Sequence, residues 1–239
     1  MKGQHVAGRD HSIDDVVDGV VEEVRERLRE VKPKLRGWQH LLASPLALVA
    51  GIVLIALSPT TTTRVGSALF AGTSLLLFTV SAIYHRGTWS ARTWEILRRF
   101  DHANIFLLIA GSYTPFTLIL LEGSDRVGLL SIAWGGAVLG VFFRIFWIDA
   151  PRWLYVPIYV GLGWAAIFYA GAFTSGGTAV FVLVAVGGLL YTIGGVVYGL
   201  KRPNPALPWF GFHEVFHSFT VAAFACHYIA ASMATYALR

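Results

Sequence analysis

The chain has 239 residues, of which 55% are hydrophobic and only 14% charged. Soluble globular chains carry about 25% charged residues, so this composition excludes an ordinary soluble enzyme and points to an integral membrane protein. The net charge of +5 matters less than where the charges sit, and no nucleic-acid partner is expected. The single cysteine, Cys226, excludes an internal disulfide and reads as a small apolar residue packed in a span.

Residues 1–38 hold eight basic and eight acidic residues. They are expected to form a charged cytosolic segment containing an amphipathic helix, "SIDDVVDGVVEEVRERLREVK". Ser12 is its expected N-cap, with Asp15 completing a capping-box pattern. Val16, Val17, Val20, Val21, Val24, Leu28 and Val31 recur at helical spacing as one apolar stripe. The acids lie mostly in its first half and the bases in its second, which suits the helix dipole. The stripe can lie on the membrane surface, on a partner chain or against the membrane domain. A stretch this polar is no cleavable signal peptide, so insertion would rely on the first hydrophobic span.

Residues 39–239 are expected to form the membrane domain. Seven hydrophobic segments, at about 39–57, 65–85, 101–121, 127–147, 153–173, 179–200 and 212–236, each approach the ~20 residues that cross a bilayer core. Segments of this length must be helices, because lipid forbids open sheet edges. The expected fold is therefore an all-α membrane protein, a seven-transmembrane helix bundle preceded by the short amphipathic helix. Glycines such as Gly135, Gly136, Gly140, Gly187, Gly188, Gly194 and Gly195 suit close helix packing. No internal repeat is visible, which disfavours a two-half transporter. With the N-terminus inside, sixteen lysines and arginines fall on the inner side and three on the outer. That asymmetry orients the N-terminus to the cytoplasm and the C-terminus outside, as a multi-pass protein of the plasma (inner) membrane.

Outside the N-terminal segment there are six acidic residues. Glu95, Glu122, Asp125 and Asp149 are expected in loops. Asp101 and Glu214 sit at span starts, where an ionisable group is a functional candidate. His85 ends the second span, Asp101 begins the third, and His213 and His217 begin the seventh, all at the expected cytoplasmic side. His213 and His217 are four apart and share one helix face, as do Ser81 and His85. Three histidines and a water make a zinc site with an open position, and Asp101 would orient or deprotonate that water. Taken singly, each has a plain alternative. An H-x-x-x-H pair is often accidental, Ser81 can bond its own helix backbone, and Asp101 can pair with Arg98 or Arg99. Their shared depth favours the metal.

"HEVFH", His213 to His217, also fits the H-E-x-x-H pattern of zinc proteases. However, no acidic residue follows His217, so the third ligand must lie upstream, where His85 is best placed. Glu214 points about 100° away from the histidine face and is expected to pair with a basic loop residue such as Arg202. His102 and His40 read as supporting or interfacial residues. His227, ~15 Å further along the helix, reads as a satisfied core histidine outside the site, while His5 and His11 carry no signal.

"SAIYHRGTW", "RRFDHANIFLLIAGSYTPF" and "GFHEVFHSF" resemble three signature motifs of the hemolysin III proteins. These form the bacterial branch of the progestin and adipoQ receptor superfamily, which includes the adiponectin receptors and is grouped more widely with alkaline ceramidases. The resemblance covers the seven-span region and not the N-terminal helix. It implies zinc on His85, His213 and His217, Asp101 in contact with the zinc water, and Ser81 beside it. The reading that follows is an intramembrane zinc hydrolase of lipid amide or ester bonds, with Ser81 helping to stabilise the oxyanion and a membrane lipid as substrate. The alternatives are a receptor-like or membrane-homeostasis protein with structural zinc, or a pore-forming hemolysin. The third has little support in spans with few polar residues.

Overall fold

The computed structural model describes Val17 and residues 33–239. Val17 apart, the expected N-terminal amphipathic helix lies outside the described residues. Helices run over α1 (Trp38–Ala56), α2 (Thr61–Arg86), α3 (Ala91–Leu120), α4 (Gly123–Phe146), α5 (Arg152–Gly163), α6 (Ala170–Ser175), α7 (Thr178–Leu200) and α8 (Phe212–Tyr236). A 3-10 turn, Ala165–Tyr169, joins α5 to α6. Counting α5 to α6 as one span, seven are long and apolar enough to cross a membrane. The bundle is all-helical, as expected, and no extended strand occurs among the described residues.

Local chemistry sets the ends of these helices. Thr60 and Thr63 form a reciprocal capping box at the start of α2, Thr60 accepting from the Thr63 amide at 3.2 Å and the Thr60 amide donating back at 3.0 Å. Ser90 accepts from the Thr93 amide at 3.2 Å and starts α3 at Ala91. This helix begins ten residues before the expected span, because a capped polar turn extends it past the hydrocarbon zone. Glu95, expected in a loop, is therefore helical and pairs with Arg99 one turn on. Deep in the bundle, hydroxyls return their protons to the preceding turn, Thr114 to the Ala110 carbonyl at 2.8 Å and Thr117 to the Tyr113 carbonyl at 2.9 Å. Such bonds satisfy these hydroxyls without water.

The core lies where α3 packs between its neighbours, around Phe70, Phe106, Phe116, Leu129 and Ala230. A side chain on Gly140 of α4 would collide with the Phe106 ring at 2.3 Å, so glycine sets that approach. On α1, Leu42, Leu46, Val49 and Ile52 form an exposed apolar stripe suited to lipid. The fifth span was expected to be one helix over 153–173. It breaks at Gly163–Trp164, and the interruption lines an internal cavity, as irregular backbone at membrane depth must.

Candidate metal centre

The second and seventh spans bring three imidazoles together at one end of the bundle. His85 stands in the last turn of α2, and His213 and His217 occupy successive turns at the start of α8. One ring nitrogen from each lies within 4.8 Å of the others. The Nε2 atoms of His85 and His213 are 3.1 Å apart. Two nitrogens bound to one tetrahedral ion at ~2.0–2.1 Å stand about 3.3 Å apart, so this spacing fits shared coordination. His85 is 5% exposed and His217 2%, too dry for a cluster of three imidazoles to be satisfied by solvent. The donor set therefore fits a single metal ion, of a kind that accepts imidazole.

Asp101 and Ser81 lie beside the triad. An Asp101 carboxylate oxygen is 3.8 Å from His85 Nε2 and 3.8 Å from His102 Nδ1, and the side chain is hydrogen-bonded to Ser81. All five residues singled out in the sequence thus converge. Asp101 does not pair with Arg98 or Arg99, which are engaged by Asp149 at 2.9 Å and by Glu95. Its place is a third of the way along α3 rather than at the start, because of the early Ser90 cap.

Glu214, between the two α8 histidines, is fully buried and pairs with Arg36. Its second oxygen accepts from the Gly211 amide at 2.8 Å, which caps α8. The expected partner, Arg202, is therefore replaced by an arginine from the turn that precedes α1. That turn runs along the loop before α8, with the Lys34 amide donating to the Pro208 carbonyl at 3.0 Å and the Leu35 amide to the Trp209 carbonyl at 3.2 Å. Gly37, at φ 82°, packs so closely that a side chain there would meet the His85 Cβ at 2.6 Å. Both ring nitrogens of His102 are engaged, Nδ1 with the Arg98 carbonyl at 2.7 Å and Nε2 with the Tyr198 hydroxyl at 3.3 Å. His227 is buried in the core away from the triad. It is only half satisfied, with Nε2 at 3.2 Å from the Val184 carbonyl and Nδ1 without a partner. Cys226 is partly buried in α8.

A cavity of about 330 Å³ opens from this polar end, with a wall formed largely by Leu108, Phe116, Tyr159, Trp164, Phe181 and Val184. Asp101 and Phe116 both line it and are fifteen residues apart on one helix, so it extends ~22 Å along the bundle. Sequence reasoning did not find the pairing of Arg36 with Glu214 or the contact of Gln39 with Ser218, whereas His40 was expected as a supporting or interfacial residue. His40 opens the first span at the same end, and that depth was the one available signal.

These features define a class: a seven-span helical membrane protein with a three-histidine cluster at the mouth of a long apolar cavity. The comparisons narrow it. The family model described as haemolysin-III related matches residues 28–228, and the chain belongs to that family. It is 34% identical over 186 residues to the Hemolysin-3 homolog of Bacillus subtilis (strain 168), covering 77% of this chain and 84% of that one. It is 29% identical over 194 residues to Hemolysin-3 of Bacillus cereus, covering 78% and 84%. Similarity extends at 28% over 220 residues to an adiponectin receptor protein of Drosophila melanogaster, covering 80% of this chain and 48% of that longer protein.

Proposed function

We propose that the chain is a zinc-dependent intramembrane hydrolase of lipid amide or ester bonds. The observation that carries this reading is the His85, His213 and His217 triad, with Asp101 at its side, at the mouth of a narrow apolar cavity ~22 Å long. A catalytic centre needs a polar mouth for chemistry, and a lipid substrate needs a dry channel for its chain. His85, His213 and His217 would hold the ion. Zinc, when bound, would supply a Lewis acid and a site where water ionises near neutral pH.

The remaining roles fall to the protein. Asp101 accepts the proton of the attacking water, whose oxygen adds to the substrate carbonyl carbon. As the C–N or C–O bond breaks, the same carboxyl passes that proton to the departing amine or alcohol. Ser81 orients the carboxylate through their hydrogen bond. A hydroxyl has a single proton, so Ser81 assists an oxyanion only when it releases Asp101. The apolar wall seats the acyl chain and keeps bulk water from the mouth. These groups all lie within residues 39–239, and Arg36 and Gly37 of the preceding turn pack directly against the same end of the bundle.

The test is direct: zinc-loaded protein in detergent, offered ceramides and phospholipids, releases free fatty acid. Protein that holds zinc and releases none from any of them refutes the enzyme reading. A second reading, structural metal in a receptor-like or membrane-homeostasis protein, draws on the donors coming from two separate spans, which an ion would tie together.

A further inference from the structure

His40 is the fourth buried histidine at this end, and its place calls for a role. It is 2% exposed, and neither ring nitrogen has a hydrogen-bond partner among the described residues. Its ring lies flat against that of His217, with centroids 3.8 Å apart and planes inclined by 14°. Flat stacking keeps its nitrogens about a van der Waals thickness, ~3.5 Å, off the His217 plane. An ion bound by His217 lies in that plane at ~2.0–2.1 Å from the nitrogen. His40 therefore cannot join as a fourth ligand while stacked.

A second observation concerns His217 itself. A metal-binding histidine almost always has its other ring nitrogen held by a carboxylate, carbonyl or water, which fixes the ring's orientation. The Nδ1 of His217 is buried without such a partner among the described residues. Of its ring contacts among the described residues, the one with His40 is stacked, and those with His85, His213 and Phe216 are tilted or edge-on. The neighbours of His40 grip the same turns of α8. Arg36 pairs with Glu214, and Gln39 donates to the Ser218 hydroxyl at 2.5 Å.

We propose that His40 is a positioning residue, which fixes the His217 ring for metal binding by stacking on its face, within a clamp of residues 36–40 on the first turns of α8. This rests on the metal reading above. It adds the first span to a centre whose candidate ligands come from the second and seventh.

The experiment uses the full chain in detergent and the metal alone as probe. Zinc affinity is measured by competition with a chromophoric chelator, and the visible spectrum is recorded with Co2+ in place of zinc. His40→Phe keeps a flat ring and removes both nitrogens, while His40→Leu and His40→Met keep apolar bulk without a face. Two aliphatic variants are used so that one that fails to fold does not decide the matter. The expected result is zinc affinity within about threefold of wild type for H40F. H40L or H40M should lose ~10–100-fold with a shifted Co2+ spectrum. Wild-type affinity and spectrum in the aliphatic variants overturns the proposal, as does H40F falling as far as they do. Wild type that binds no metal instead removes the centre itself, and the inference with it.

Discussion

The third and fifth spans make opposite use of the same membrane. In α3, 67% of the most apolar stretch is buried inside the protein, whereas the matching stretch of the fifth span buries 11% and that span is interrupted by a 3-10 turn. The candidate metal donors, with Asp101 and Ser81 beside them, stand on α2, α3 and the start of α8, tied by Arg36, Ser81 and the histidine contacts. The cavity wall on the other side is borrowed from α5, α6 and α7. The contrast separates two tasks. Coordination tolerates little displacement and is built on packed helices, while a channel for a flexible chain needs room and can use a loosely held, broken helix.

The packed side can be broken most severely at the triad. Wild type is expected to retain about one zinc per chain after purification, and His213→Ala none, since two imidazoles do not make the three-ligand site. Metal analysis of the pair settles it. Asp101→Asn comes next. It should keep the metal and the thermal stability while fatty-acid release falls ~10²–10⁴-fold, the range for loss of a general base. If zinc were only a staple, His85→Ala would collapse the melting temperature and D101N would change nothing measurable.

The clamp on α8 gives a stability test. Arg36→Met leaves the Glu214 carboxylate buried and uncompensated and should destabilise by about 3–5 kcal/mol. Adding Glu214→Gln should restore most of that loss, although the amide replaces only part of the capping interaction with Gly211. Thermal unfolding in detergent distinguishes the two. A double variant no better than R36M would show that Arg36 acts through packing rather than charge.

Much of this was legible in the sequence, for identifiable reasons. Seven spans could be counted because each hydrophobic run is long enough to leave no other solution in lipid. His85, Asp101, His213 and His217 could be brought together because alternating spans fix which ends share a depth. Two kinds of fact stayed hidden. The start of α3 depended on a local cap at Ser90, which outweighed the hydrophobic boundary. The partner of Glu214 depended on a chain path: Arg36 lies 178 positions away and meets it only because Gly37, with φ 82°, lets the chain pass against His85. Neither the positive φ nor the contact leaves a periodic trace. His40 had the right depth, but its flat stacking on His217 needs coordinates.

Smaller effects separate tight from open packing on two neighbouring turns of one helix. Gly140→Ala drives a methyl into the Phe106 ring, 2.3 Å from the ideal Cβ, and should destabilise by about 1–3 kcal/mol. Gly135→Ala meets nothing within 4 Å and should be neutral or slightly stabilising. Equal melting temperatures for the two would undo the claim that glycine sets the α3 to α4 distance.

The open side is probed by filling it. Gly188 lines the cavity from α7, and a Cβ added there meets nothing within 4 Å, so the side chain of Gly188→Leu starts into open space. It lies on α7 just past Val184, whose carbonyl faces His227, well away from the triad. The leucine should therefore leave zinc content and the reaction with short-chain substrates unchanged, because the mouth is untouched. Long chains would have to share their space with it. The ratio of long-chain to short-chain kcat/KM should fall by roughly tenfold, within the range by which a few methylenes change pocket discrimination. An equal loss for both lengths would mean that the leucine disturbs the centre, and no loss for either would mean that the chain lies elsewhere. A selective loss would assign the loosely packed half of the bundle to the lipid tail and the tightly packed half to the bond that breaks.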